Sequence, residues 1–311
     1  MMKQDQKAQL DWQEQVRRTA KGIRRRVLEH TVNSNGGYLS QACSAAEIFA
    51  ALYLKLMALG PVEAPIIPPP FAGVPGPDNP GSFTGAAFHG PQAPHYDRFI
   101  LSPAQYALVL YAALEEVGRM APEGLRQFNQ DGGTVEMIGA EHSPGMEVMT
   151  GSLGQGLSQA AGIAMARKLK GDTGKVWVFM SDGEFQSGQN WEAIQAMAHH
   201  RLDNMWLIVD MNGQQCDGEI CSVMTIEPFD KRLEAFGARV FRLDGHDVEA
   251  LAVAAAQQPD GRPTVILADT NPCQGLDLLA ARAPKLHYVR FTSSEERLQY
   301  QKAIEIFDHK E

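Results

Sequence analysis

The chain has 311 residues, 44% of them hydrophobic, enough for one large α/β domain or two ordinary ones with a real core. Its formal charge of -9, from 28 basic against 37 acidic residues, argues against a nucleic-acid surface, which needs clustered cations. No run approaches the roughly 18 apolar residues of a membrane span. The polar opening MMKQDQKAQLDWQEQ lacks an apolar signal segment, so a cytoplasmic protein with a small-molecule or protein ligand is expected.

Residues 10 to 30 read as a helix carrying a basic cluster, Arg17, Arg18, Lys21, Arg24, Arg25 and Arg26, expected on a solvated or subunit-facing surface. The Gly-rich turn NSNGG follows, and Ser44 with Glu47 has the spacing of a capping box for the run IFAALYLKLMAL. From about 60 to 95 the chain is crowded with Pro and Gly (APIIPPPFAGVPGPDNPG), which denies both helix and central strand and predicts a long loop at a site mouth or subunit interface. Ser102 and Gln105, with Pro103 between them, read as a second capping box opening the helix AQYALVLYAALEEVG. Four cysteines, Cys43, Cys216, Cys221 and Cys273, lack CxxC spacing and are expected to be reduced and mostly packing residues.

The second half alternates strands and helices. KVWVFMS and MWLIVDM are short, continuously apolar runs suited to strands buried on both faces, with the amphipathic stretch NWEAIQAMAHHRL between them. RVFRLDG and PTVILADT, separated by DVEALAVAAAQQ, extend the pattern to a doubly wound, mostly parallel α/β sheet with helices on both faces. Ligands of such sheets bind beyond the carboxyl ends of the strands, where Asp182 and Asn212 follow the two best strands. A carboxylate and an amide oxygen are two hard ligands that suit Mg²⁺, and Mg²⁺ held by so few protein groups is usually completed by phosphate oxygens, pointing to a diphosphate. Gly183 beside the carboxylate permits close approach. Asp and Asn are also ordinary turn and cap residues.

The elements Asp182-Gly183, Asn212 and Asp217-Gly218 resemble the thiamin-diphosphate fingerprint of the transketolase family. DRFILS (97–102), TGSLGQGLSQAAGIAMA (150–166), LEAFGA (233–238) and DGHD (244–247) fall in the order of transketolase N-terminal regions, so the resemblance spans nearly the whole chain. It implies a thiamin-diphosphate-binding fold over residues 1–311, with Mg²⁺ held by Asp182, the Asn212 side chain and the Gln214 carbonyl. Gly151 and Leu153 would approach the aminopyrimidine, Cys216 would lie against the thiazolium, and His287 would reach the diphosphate. The stretch 150–156 is equally a glycine-rich helix entry, and His287 reads equally as a structural histidine.

The resemblance covers only the first half of a one-chain transketolase. It implies that the pyrimidine-binding domain, with the glutamate that activates the cofactor, lies on a partner chain, in a heterotetramer inactive without it. Several substrate-facing histidines of the family are replaced: NSNGGYLS has none, Gln105 stands at one position, and His142 in GAEHSPGME is displaced. Gln105, His142 and His287 are the candidate catalytic residues, with His89 and His95 as further replacements. Ser187 stands where the family has a glutamate of an acidic network between paired sites, while Glu192 is retained. The implied activity is transfer of a two-carbon ketol or acyl unit from a ketose or 2-oxo acid to an aldehyde or ketone. The alternatives are an E1-like component of a 2-oxo-acid dehydrogenase, whose NSGG-like turn NSNGG resembles, and a non-catalytic scaffold subunit.

Overall fold

In the computed structural model, which describes residues 11–74, 77–79 and 82–309, helix α1 (Trp12–Ser34) leads through Asn35 into α2 (Leu39–Ala51). Strand β1 (Arg98–Leu101), a 3₁₀ turn at Ala104–Tyr106 and α3 (Ala107–Glu116) follow the Pro/Gly-rich segment. Then come α4 (Gln155–Lys170), β2 (Val176–Ser181), a 3₁₀ turn at Asp182–Gln186, α5 (Gly188–His199) and β3 (Met205–Met211). A small hairpin, β4 (Gln214–Gln215) and β5 (Gly218–Glu219), runs into the helical turn α6 (Ile220–Val223) and α7 (Phe229–Ala235). The chain ends with β6 (Arg239–Asp244), α8 (Val248–Ala255), β7 (Thr264–Asp269) and α9 (Ser294–His309). Among the described residues no helix is long and apolar enough to cross a membrane. The polar opening falls largely outside them.

The main sheet has five parallel strands in the order β1-β2-β3-β7-β6, as expected for the α/β class. Alternation of side chains along each strand builds two cores. Phe99, Trp177, Phe179, Trp206, Ile208 and Ile266 pack with α1, α2, α3 and α8 on one face. Ile100, Val178, Met180, Leu207, Val209 and Leu267 pack with α4, α5 and α7 on the other. Strands buried on both sides have no polar face, which is why they read as unbroken apolar runs. Ser181 pairs with Asp210 in the β2–β3 register, so Asp182 and Asn212 leave the same edge of the sheet.

Several local expectations are corrected. Every residue of α2 is buried, so it shows no amphipathic rhythm and begins five residues before Ser44. Ser44 is not a cap; its hydroxyl donates to Asp210 at 2.6 Å. The basic cluster divides: Arg17 and Arg18 are exposed, whereas Arg24 is buried against Glu47, and Arg26 pairs with Glu115 and Glu116. Cys43 and Cys273 are buried packing residues, but Cys216 and Cys221 are exposed.

The Pro/Gly-rich segment is irregular, as expected, but it is pinned rather than free-standing. Phe71 N donates to Gly132 O (2.9 Å), Thr134 Oγ1 to Pro69 O (2.8 Å) and Gly85 N to Glu141 O (2.7 Å). A Cβ at Gly85 would lie 1.8 Å from the Ser143 carbonyl, so only glycine allows this approach. His89 serves this packing: it is buried and bridges the Tyr53 hydroxyl (2.9 Å) and the Glu147 carboxylate (3.0 Å). His95 is exposed and packs against the Tyr96 ring at a tilt of 47°.

Glu47 ties three elements together. It receives both Arg24 Nη atoms from α1, and His246, just before α8, donates from Nδ1 at 2.9 Å while its Nε2 accepts from Asn271 N. Burial alone raises the Glu47 carboxyl, but the His246 hydrogen bond and the Arg24 guanidinium outweigh it and hold the group at about 2. Because this folded-state value is depressed from 4.5, the stabilisation is complete above that pH and is lost as the pH falls towards 2. Glu47→Gln, which strands a buried guanidinium, is expected to cost about 3–5 kcal/mol at neutral pH. In denaturant titrations its gap to the wild type should narrow as the pH falls below 4.5; a pH-independent gap would refute the ionic role of Glu47.

Candidate active site

The sheet reverses its order between β3 and β7, and the crevice at the carboxyl ends of these strands is where a parallel sheet binds ligands. Asp210, at the end of β3, is fully buried and acts as a hub. Ser44 from α2 and Tyr106 from the 3₁₀ turn after β1 donate to its Oδ2 at 2.6 and 2.7 Å, and Thr270 after β7 donates to its Oδ1. Asn212 Nδ2 donates to the same Oδ2 (3.0 Å) and to Tyr106 Oη (2.8 Å). With its nitrogen engaged inward, the Asn212 amide turns Oδ1 to the strand tip, where it accepts Gln214 N at 2.8 Å.

Asp182, 2% exposed, follows β2 and accepts from Gly183 N on Oδ1 and Gly213 N on Oδ2, both at 2.8 Å. The second bond ties it to the loop that carries Asn212, so the sequence-predicted pair is brought together. Burial raises the Asp182 carboxyl well above its ordinary range, and the nearby Asp210 carboxylate raises it further. Burial also raises Asp210, against its four hydrogen-bond donors. Among the described residues no cationic side chain pairs with either carboxylate. Arg242, which lines the same cavity of about 360 Å³, is engaged by Asp269 and Glu227.

Glu184 and Ser102 are buried neighbours of Asp182 whose pairing the sequence reading missed. Ser102 donates to Glu184 Oε1 at 2.6 Å and caps no helix, which corrects the second capping box; the following turn has no side-chain cap. Glu184 Oε1 also accepts Gly154 N, and Oε2 accepts Ser181 N, each at 3.2 Å. Burial pushes the Glu184 carboxyl up to about 7. The signal was the spacing Ser181 to Glu184, a capping box around Asp182 itself.

The other candidate residues spread around this centre. Gly151 and Leu153 are exposed on the turn before α4, and Thr150 anchors that turn to Leu101 O at 2.7 Å. Cys216 and Asp217 form the exposed tip of the β4–β5 hairpin, with Gly218 at φ +130°. Gly183 is required by no protein neighbour, since a Cβ there would meet only Gln215 Cβ at 3.7 Å. His287 is half-buried, packs edge-on against Tyr38, and has the Gln41 amide 3.1 Å from Nδ1. Gln41 lies on α2 one turn before Ser44, so His287 stands on the Asp210 side of the crevice. Gln105 and Tyr38 line one cavity of about 180 Å³, where the buried Gln105 Oε1 has no donor. His142 is held elsewhere, between Glu136 (3.1 Å) and the ring of Phe71, and contacts none of the tip residues. Ser187 starts α5 close to Gly154, and Glu192 is exposed on that helix.

The donor set fits the cation and diphosphate that the resemblance implies. Two buried carboxylates without a cation favour a positive ion, and Asp182 and Asn212 Oδ1 are hard oxygens that each retain lone-pair capacity. Among the described residues no three His, Cys, Asp or Glu side chains converge on a metal position, so the protein alone does not complete a coordination shell. Gly183, where the one protein atom a Cβ would meet is Gln215 Cβ at 3.7 Å, suits a group approaching the backbone closely.

Comparison with known proteins agrees. Residues 82–280 match the family described as transketolase, thiamine diphosphate binding domain. An uncharacterised transketolase family protein of Sinorhizobium fredii is 34% identical over 293 residues, covering 93% of this chain and 94% of its own length. An apulose-4-phosphate transketolase subunit of Actinobacillus succinogenes is 29% identical, covering 88% and 91%. The crystal structure of Campylobacter jejuni transketolase shares the fold, with a TM-score of 0.69 at 21% identity; it covers 96% of this chain, which spans 47% of that longer protein. These relatives support the transketolase-type reading over both the dehydrogenase component and the scaffold. The chain belongs to the transketolase family and carries its thiamine diphosphate-binding domain.

Proposed function

We propose that this chain is one half of a two-chain transketolase, a transferase that moves a two-carbon ketol unit from a ketose to an aldehyde with thiamine diphosphate and Mg²⁺. The observation that carries this reading is the buried, uncompensated Asp182–Asp210 pair beneath an outward-turned Asn212 oxygen. Asp182, Asn212 Oδ1 and the Gln214 carbonyl would hold the metal, with Gly183 beside the diphosphate. Gly151 and Leu153 would meet the aminopyrimidine, Cys216 the thiazolium, and His287 the diphosphate. When bound, the cofactor supplies the reactive thiazolium carbon; the chain holds it, orients it and keeps water from it.

The second chain would bring the pyrimidine-binding domain and its activating glutamate, in a heterotetramer. Support comes from a relative that is itself named as a transketolase subunit and matches along nearly its whole length. Four free cysteines fit a reducing, cytoplasmic setting.

The Gln105 cavity supports a specific substrate end. His30 is the only basic side chain among its described lining residues, and burial lowers the His30 pKa, so the lining carries no positive charge at neutral pH. The part of the substrate that enters beside Tyr38 and Gln105 would therefore be uncharged.

Asp182→Ala should abolish Mg²⁺-dependent binding of thiamine diphosphate in calorimetry while the circular dichroism spectrum is retained; unchanged affinity would remove the metal assignment. Tyr106→Phe removes one of the two acceptors that hold the Asn212 amide, and one donor to Asp210, without touching a ligand, and should weaken the same binding by about 10- to 100-fold. Purified alone, the chain should show no ketol transfer, and activity should appear on adding its partner chain. Full turnover by the chain alone would defeat the two-chain reading.

A further inference from the structure

Three segments of different origin meet in the crevice: the tip of β1, the turn before α4 and the tip of β2. One buried side chain joins them. Glu184 is 1% exposed, and its carboxylate accepts Ser102 Oγ after β1 (2.6 Å), Gly154 N at the start of α4 (3.2 Å) and Ser181 N at the end of β2 (3.2 Å). Its own carbonyl accepts Asn190 Nδ2 from α5 at 2.8 Å.

The neighbours are shaped for this junction. A Cβ on Gly156 would lie 2.6 Å from Ser102 Oγ, so glycine lets α4 come close enough for the serine to reach Glu184. Gly154 has φ +87°, which turns the chain so that its N–H points at the carboxylate. A carboxylate suits three donors because both its oxygens only accept. A glutamine would set its NH₂ against one of them.

The turn held by this knot differs in character from the tip of β2. Met149 is 59% exposed, Leu153 45% and, packed beneath Gly151, Ile138 58%. An apolar ledge therefore stands beside the acidic tip at Asp182, and a ligand touching both must have an apolar part and an anionic, metal-bound part.

We propose that Glu184 is a positioning residue for the organic end of the cofactor: it sets the distance between the Met149–Gly154 ledge and the Asp182 tip. The proposal rests on the cofactor reading given above. Glu184 touches neither ligand end, and its loss lets the turn shift while the metal residues keep their own bonds to Gly183, Gly213 and Tyr106.

The test compares two ligands on the full chain by calorimetry in Mg²⁺: thiamine diphosphate, which reaches the ledge, and inorganic diphosphate, which does not. Glu184→Gln should weaken thiamine diphosphate by about tenfold or more and change diphosphate by less than about threefold. Ser102→Ala, which removes one donor and keeps the carboxylate, should give the same selective loss at smaller size. An equal loss for both ligands, or no loss for either, in these folded variants would overturn the positioning role. Failure of the wild-type chain to bind either ligand with its partner chain present would instead overturn the cofactor reading, and Asp182→Ala, losing both, marks that difference.

Discussion

Asp182 and Asp210 are two carboxylates buried in one pocket at the ends of adjacent strands, and the surrounding structure is organised around keeping them there. Burial raises the pKa of both carboxyls, and the Asp210 charge raises Asp182 further, so the arrangement holds only because hydroxyl and amide donors converge on it. Those donors come from α2, the turn after β1, the loop after β3 and the segment after β7. Misplacing the loop after β3 leaves Asp182 Oδ2 without its donor, and misplacing the segment after β7 does the same to Asp210 Oδ1. The proposed divalent cation at the tip would supply a positive charge to these two carboxylates.

The fold supplies the geometry that the donors need. Parallel strands place the ends of β1, β2, β3 and β7 along one edge, and the two apolar cores fix the sheet from both faces. The wholly buried α2 reaches the crevice with Ser44 and Gln41, while its Glu47 is locked to α1 and to the turn before α8. The helices α1 and α2 thus hold the serine that meets Asp210, and through Gln41 the side chain of His287.

Much of this was legible in the sequence, and the exceptions share a cause. Strand runs, the parallel class and the tip pair Asp182 and Asn212 follow from apolar periodicity and from the rule that ligands sit at strand ends. The two serines read as helix caps, Ser44 and Ser102, are spaced from their acidic or amide neighbours as caps are, but both hydroxyls serve buried carboxylates more than 80 residues away. Local spacing cannot reveal a partner that only the tertiary fold brings near. Asp210 was hidden in the same way: inside MWLIVDM it is a charge in a buried strand, unusual by composition, and its position two residues before Asn212 puts both on one side of the strand. His89 illustrates the opposite error, a histidine whose pairing with Tyr53 and Glu147 holds the Pro/Gly-rich segment rather than a ligand.

Whether the strand tips hold a metal-bound diphosphate is decided most directly by a crystal structure of the chain grown with thiamine diphosphate and Mn²⁺ in place of Mg²⁺, read from the anomalous signal of manganese. One peak is expected, bounded by Asp182, Asn212 Oδ1 and the Gln214 carbonyl and bridged to the diphosphate over Gly183. A peak among Glu219, Glu227 and Asp269 on the far side of the same cavity, with Asp182 unengaged, would contradict this.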